Sequence, residues 1–154
     1  LKIVILAVGR LGRSTEAGLV KDYADRATAS GRSLGLGPVE IIEVEARKPG
    51  KAAEAEVLLA QLADTHVIAC DEGGAAMPSR DFAARIAALR DQGVRRLAFV
   101  IGGADGLDSG VLRAARERLA FGPQTWPHAL ARVMLAEQVY RAVTILAGSP
   151  YHRD

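Results

Sequence analysis

With 154 residues, 49% of them hydrophobic and 25% charged, the chain holds one domain with a sizeable core and no second domain of ordinary size, so residues 1–154 are read as a single domain. Its 20 Lys and Arg against 18 Asp and Glu give a net charge of +2, which excludes recognition of nucleic acid by bulk electrostatics and leaves only local clusters. Aromatic residues at 5% exclude a base-stacking sheet.

Residues 2–8 are a continuous, largely apolar run without alternation, as expected of a central parallel strand covered on both faces. Gly9 and Gly12 punctuate the turn that follows, with Arg10 and Arg13 as a first basic cluster. Residues 15–29 carry a helical pattern, and the glycine-rich stretch 31–38 reads as a flexible surface connection. A strand over 39–44 leads to Arg47, Lys48 and Lys51 around Pro49-Gly50, a second basic cluster, and then to a helix over 52–62. A strand over 66–70 ends at Cys70, and Gly73-Gly74 turn the chain toward a helix over 80–90. The strand over 97–101 repeats the continuous apolar pattern and opens into Gly102-Gly103-Ala104-Asp105-Gly106-Leu107. Strands alternating with helices specify an α/β domain in which a parallel sheet lies between two helical layers.

Candidate chemistry sits in the loops. Gly102 and Gly103 follow a parallel strand, where backbone can approach a ligand closely, but the spacing falls short of the dinucleotide fingerprint. Neither glycine loop ends in Gly-Lys-Ser/Thr, which disfavours phosphotransfer. Asp71 and Glu72 suit a ribose or a metal as well as an ordinary polar turn, and Cys70 reads as a small buried hydrophobe, not a nucleophile. Phe121-Gly122-Pro123-Gln124-Thr125-Trp126-Pro127-His128 contains two prolines and the only tryptophan, a preorganised loop that can sandwich an adenine or simply pack Trp126 into the core. His128 suits either a helix cap or a substrate contact.

The helix over 129–147 is apolar almost all round, which calls for cover on a second side and hence for a symmetric homodimer. Glu137 and Arg141, four apart, are placed to pair on its surface. Pro150 bars helix continuation and aims the tail Tyr151-His152-Arg153-Asp154, which gathers an aromatic plane, a proton-transfer group and a cation. One cysteine excludes an internal disulfide, His66, His128 and His152 show no metal-ligand spacing, and the apolar run 3–8 is too short to span a membrane. A cytoplasmic protein without metal is expected. On these residues alone, a flavodoxin-like nucleotide-dependent oxidoreductase and a non-catalytic ribosome-binding factor stay open beside a transferase.

Together, Ile101 to Leu107, Thr125-Trp126-Pro127-His128, Ala131 to Ala142 and Tyr151-His152-Arg153 closely resemble the RlmH family, SPOUT-class methyltransferases that act on a pseudouridine of large-subunit 23S ribosomal RNA. The likeness covers the whole chain, including Ala7-Val8-Gly9. It implies an α/β fold with a deep C-terminal trefoil knot, a homodimer, and S-adenosylmethionine held in the knot loops by Cys70, Gly102, Gly103 and Phe121, Gly122, Pro123, Gln124, Thr125 and Trp126. It further implies N3 methylation of the pseudouridine within the ribosome, with Tyr151, His152 and Arg153 as the catalytic tail. His128, Arg132, Glu137 and Arg141 are the remaining candidates for substrate contact.

Overall fold

In a computed structural model of residues 1–154, the two continuous apolar runs become the centre of a wholly parallel five-stranded sheet. The strands are β1 (Lys2–Val8), β2 (Val39–Val44), β3 (His66–Ala75), β4 (Arg96–Ile101) and β5 (Glu117–Leu119), in the order β2-β1-β4-β3-β5. The helices are α1 (Thr15–Gly31), α2 (Lys51–Leu59), α3 (Ser79–Asp91), α4 (Ser109–Ala114) and α5 (His128–Ala147). No helix is long and apolar enough to cross a membrane.

Alternation along the strands explains why a run can be apolar throughout and still be ordered. Ile3, Ile5 and Ala7 with Leu97, Phe99 and Ile101 point into a core shared with α1, α3 and α5. Val4, Leu6 and Val8 with Ala98 and Val100 point the other way, toward α2 and α4. Three layers result, as expected. The flavodoxin-like order would place β3 beside β1; here β4 takes that position. The registers Ala7 to Ile101 and Cys70 to Ile101 bring the ends of β1 and β4 level with Cys70 of β3 at one edge.

Several expectations are corrected. The stretch 31–38 is not a loose connection, because Arg32–Leu34 form a 3-10 turn, Leu36 is buried and its N–H donates to Gly31 O at 3.0 Å. Gly73-Gly74 do not end β3, which bulges after Cys70 and resumes pairing at Ala75 opposite Leu119. A Cβ on Gly74 would lie 2.7 Å from the Leu119 backbone nitrogen, so only glycine allows that approach. α2 ends at Leu59 and not at residue 62, while α4 and β5 have no counterpart in the sequence reading. α5 is covered within one chain by α1, α3 and the sheet, with Val133, Leu135, Val139 and Val143 buried. Its apolar circumference therefore does not by itself require a second copy.

α1 allows a direct test of packing against propensity. A Cβ at Gly31 would stand 2.6 Å from Leu36 O, whereas one at Gly18 meets nothing within 4 Å. Gly31→Ala should destabilise the protein by about 1–3 kcal/mol, as overpacking does. Gly18→Ala should stabilise it by up to about 1 kcal/mol through helix propensity. Thermal unfolding of the two variants reads the opposite signs, and equal shifts would contradict the packing described.

Candidate active site at the carboxyl edge of the sheet

Because β1 and β4 end level with Cys70, where β3 bulges, the segments that follow these points converge. A cavity of about 630 Å³ opens there, within the range of small-molecule sites. Its lining includes Cys70, Gly102, Gly103, Phe121, Gly122, Gln124, Thr125, Trp126 and His128. Of the residues the family resemblance assigns to the cofactor, Pro123 alone is not in the lining. Lys51, Asp105, Leu107 and Leu112 also line it. Of these, Lys51 was visible only as part of a basic cluster, Asp105 and Leu107 only as neighbours of the glycine pair, and Leu112 belongs to the unanticipated α4.

Two loops give the cavity its shape. After β4 the chain folds into a small closed turn, with Gly106 N donating to Gly103 O at 3.0 Å. A Cβ on Gly102 would meet Gly106 O at 2.5 Å, and one on Gly103 would meet a Glu54 carboxylate oxygen at 2.8 Å. The first clash is with backbone, so close approach demands glycine at 102, whereas the second is with the end of a side chain that can swing aside. Across the opening, Trp126 Nε1 donates to Phe121 O at 3.1 Å and clasps its own loop, with the ring 37% exposed and so outside the core.

Ile101, Leu107, Leu112, Leu119 and Trp126 supply apolar walls, and Asp71, Glu72 and Asp105 supply carboxylates. Asp71 Oδ2 also accepts from Gly73 N at 3.0 Å, which fixes the turn after Cys70. Burial pushes the Cys70 thiol up to about 12, so it stays protonated and serves as wall, not nucleophile. A flat apolar ring with a cationic, hydroxyl-bearing remainder matches this lining.

The tail lies elsewhere in the same protomer. Tyr151 donates to Glu137 Oε1 at 2.9 Å and packs edge-on against Tyr140 at 4.7 Å between centroids. Arg141 donates to the same Glu137 oxygen through Nε at 3.0 Å and Nη2 at 2.6 Å, and its guanidinium sits 4.9 Å from the Tyr151 ring centre. Arg141 Nη1 also contacts His152 Nδ1 at 3.1 Å, while His152 Nε2 is 3.0 Å from Asp154 Oδ1. Since Arg141 can only donate, Nδ1 accepts and the Nε2 proton points at Asp154. Arg80, in the first turn of α3, closes the chain with a two-pronged contact to Asp154 at 2.7 and 2.8 Å. Burial, reinforced by Glu137, raises the Tyr151 hydroxyl and keeps it protonated.

Four candidates for substrate contact thus separate. His128 faces the cavity. Glu137 and Arg141 hold the tail and do not line it. Arg132 is corrected outright, because its guanidinium is 1% exposed and bonds to Glu43 Oε2 at 2.6 Å, Val8 O at 3.1 Å and Gly9 O at 3.2 Å. An arginine enclosed in this way cannot reach a phosphate or a base. Arg141 lies thirteen residues beyond His128 on α5, roughly 20 Å along a helix rising 1.5 Å per residue. No tail residue lines that cavity, although Glu137, which holds Tyr151, borders a smaller neighbouring cavity with Phe121 and Gly122.

The whole length of the chain compares with known methyltransferases. Residues 1–152 match the family model described as "Predicted SPOUT methyltransferase", and the chain belongs to the SPOUT methyltransferase family. Similar folds occur in a probable methylase family protein from Haemophilus influenzae (16% identity, TM-score 0.54, covering 99% of this chain and 70% of that one) and in a probable methyltransferase from Bordetella pertussis (15%, 0.52, 92% and 96%). Within the family its branch is that of "Ribosomal RNA large subunit methyltransferase H". Proteins of that name from Phenylobacterium zucineum and Caulobacter vibrioides are 72% and 69% identical over 154 residues, covering all of this chain and 100% and 99% of theirs.

Arg80 sets the acid limit of the tail clamp. Its contact, with that of His152, holds Asp154 at about 2 instead of near 3.8. A depressed carboxylate stabilises the clamp above its unfolded range and loses that contribution as pH falls through about 2. In a carboxyl-carbon NMR titration, Arg80→Gln should return Asp154 toward 3.8. A value left near 2 would show that Arg80 is not what holds it.

Proposed function

We propose that the protein transfers a methyl group from S-adenosylmethionine to N3 of a pseudouridine in large-subunit ribosomal RNA, as a cytoplasmic homodimer acting on the ribosome. The observation that carries this reading is the cavity between the Gly102 turn and the Trp126 loop, in a chain whose full-length relatives are named for ribosomal RNA methylation. Apolar walls suit the adenine, backbone groups around Gly102 and Phe121 suit its edge, and Asp71, Glu72 and Asp105 suit the hydroxyls and positive charge. When bound, S-adenosylmethionine supplies a methyl group already activated on a sulfonium.

The residues of the chain do the rest. N3 is an imide nitrogen and becomes a good nucleophile only on losing its proton. His152 takes that proton at Nδ1 when Arg141 turns its Nη1 hydrogen away. Arg153 is exposed and without an ion-pair partner, and it stabilises negative charge on the flanking carbonyls. Tyr151 stays neutral and lies against the base.

Separation of tail and cavity within one protomer supports a composite site, in which the tail of one copy serves the cavity of the other. Exposed Leu19, Leu130 and Trp126, close to the end where α1 and α5 begin, support the dimer face. Residues 120–127 leave β5 at one side of the sheet and α5 returns to β1 across the ends of β3 and β4, a path that supports the trefoil knot.

His152→Ala should lower the single-turnover rate of methyl transfer to large subunits by about 100-fold or more, the usual contribution of a general base, while calorimetry shows the same affinity for S-adenosylmethionine as wild type. An unaltered rate removes His152 from the mechanism. Binding of NAD in place of S-adenosylmethionine overturns the methyltransferase reading.

A further inference from the structure

The sequence contains two basic clusters, Arg10 with Arg13 and Arg47 with Lys48 and Lys51, and the fold brings them together. β1 and β2 are neighbours with Val8 opposite Val44, so the loops leaving them start one strand spacing apart, about 5 Å. Gly9 N donates to Val44 O at 2.8 Å, and Leu11 N to Glu43 Oε2 at 2.9 Å, which ties one loop to the other strand.

These cations lack the close carboxylate that several others in the molecule hold. Lys21, Arg26, Arg80, Arg85 and Arg90 each hold a carboxylate at 3.1 Å or less. Arg13, Arg47, Lys48 and Lys51 are exposed with no ion-pair partner, and Arg10 approaches Glu45 only at 3.7 Å with both groups mostly exposed. Lys51 lines the cavity, and Glu54, one turn further along α2, abuts Gly103. Charge along this edge is therefore uneven. Asp71, Glu72 and Asp105 stand in the bulge of β3 and after β4, whereas the segments after β1 and β2 carry five cations against Glu45 and Glu54, the latter turned toward Gly103.

We infer that the loops after β1 and β2 form a docking surface for the RNA phosphate backbone, which seats the nucleotides flanking the target base at the mouth of the cavity. The inference rests on the methyltransferase reading and adds where the RNA lies. Unpaired, solvated cations neutralise phosphates with release of counterions, whereas paired ones must first give up a carboxylate. A net charge of +2 provides no long-range field to do the same work, so a local cluster has to supply it.

Salt titration tests the surface. Binding to purified large ribosomal subunits is measured across KCl concentrations at fixed magnesium for wild type and for Arg13→Gln/Arg47→Gln/Lys48→Gln. Three lost contacts should reduce the slope of log K against log salt by about 2, with binding weakened at least about tenfold at moderate salt, while affinity for S-adenosylmethionine is unchanged. A control triple, Arg95→Gln/Arg113→Gln/Arg116→Gln, neutralises exposed, unpaired cations toward the opposite, amino edge of the sheet and should keep the wild-type slope. An unchanged slope in the first variant, or an equal loss in the control, overturns the docking surface and leaves the enzyme reading standing if wild type methylates the same particles. Wild type that neither binds nor methylates them overturns both.

Discussion

Arg132 heads the largest fully buried side chains of the molecule, and much of the architecture depends on where its guanidinium goes. From the first turns of α5 it reaches Val8 and Gly9, more than 120 residues away in sequence, and the Glu43 carboxylate of β2. Burial pushes its proton affinity down and Glu43 pulls it back up, and its Nε is left without a partner. Removing one member of a buried ion pair typically costs about 3–5 kcal/mol. The gain is positional. β5 lies at the far side of the sheet, so a helix pinned to the ends of β1 and β2 makes residues 120–127 cross the ends of β3 and β4. That crossing is the wall that carries Phe121 and Trp126 over the glycine turn, and without it the parallel edge has no enclosed cavity.

The same helix organises the tail by a second set of charges. Glu137 gathers Tyr151 and Arg141, Arg141 orients His152, and Asp154 joins the end of the chain to Arg80 on α3. The base we propose thus presents Nδ1 to a movable cation and Nε2 to Asp154. Position along α5 separates two features. The amino end borders the cavity, and the middle and carboxyl end hold the tail that we propose as the catalytic arm for a second protomer.

What the sequence revealed follows from how local each signal is. β1 and β4 were legible because strands covered on both faces must be apolar at every position, and the glycine pair and tryptophan loop were legible because close backbone approach and aromatic walls leave compositional traces. β5 was not, since Glu117-Arg118-Leu119 has no apolar run and is a strand only because β3 resumes beside it. The place of β4 between β1 and β3 is a tertiary fact with no local trace. Arg132 looked like an arginine for substrate, because burial of a charge depends on partners far away in sequence, and Arg80 showed nothing beyond its residue type. The knot is an expectation from the family resemblance, since periodicity does not encode it, and the pairing of one copy's tail with the other's cavity is a proposal from their placement in the fold.

The central claim is that a working site takes its cavity from one protomer and its tail from another, and subunit mixing tests it most directly. Gly102→Ala fills the glycine turn of the cavity, where a Cβ would meet Gly106 O, and His152→Ala removes the base from the tail. Each variant alone should be inactive. When they are unfolded and refolded together in equal amounts, half the dimers are mixed and each mixed dimer holds one intact composite site, so activity should return to roughly a quarter of the wild-type level. A mixture that forms mixed dimers by mass and stays inactive would contradict the account.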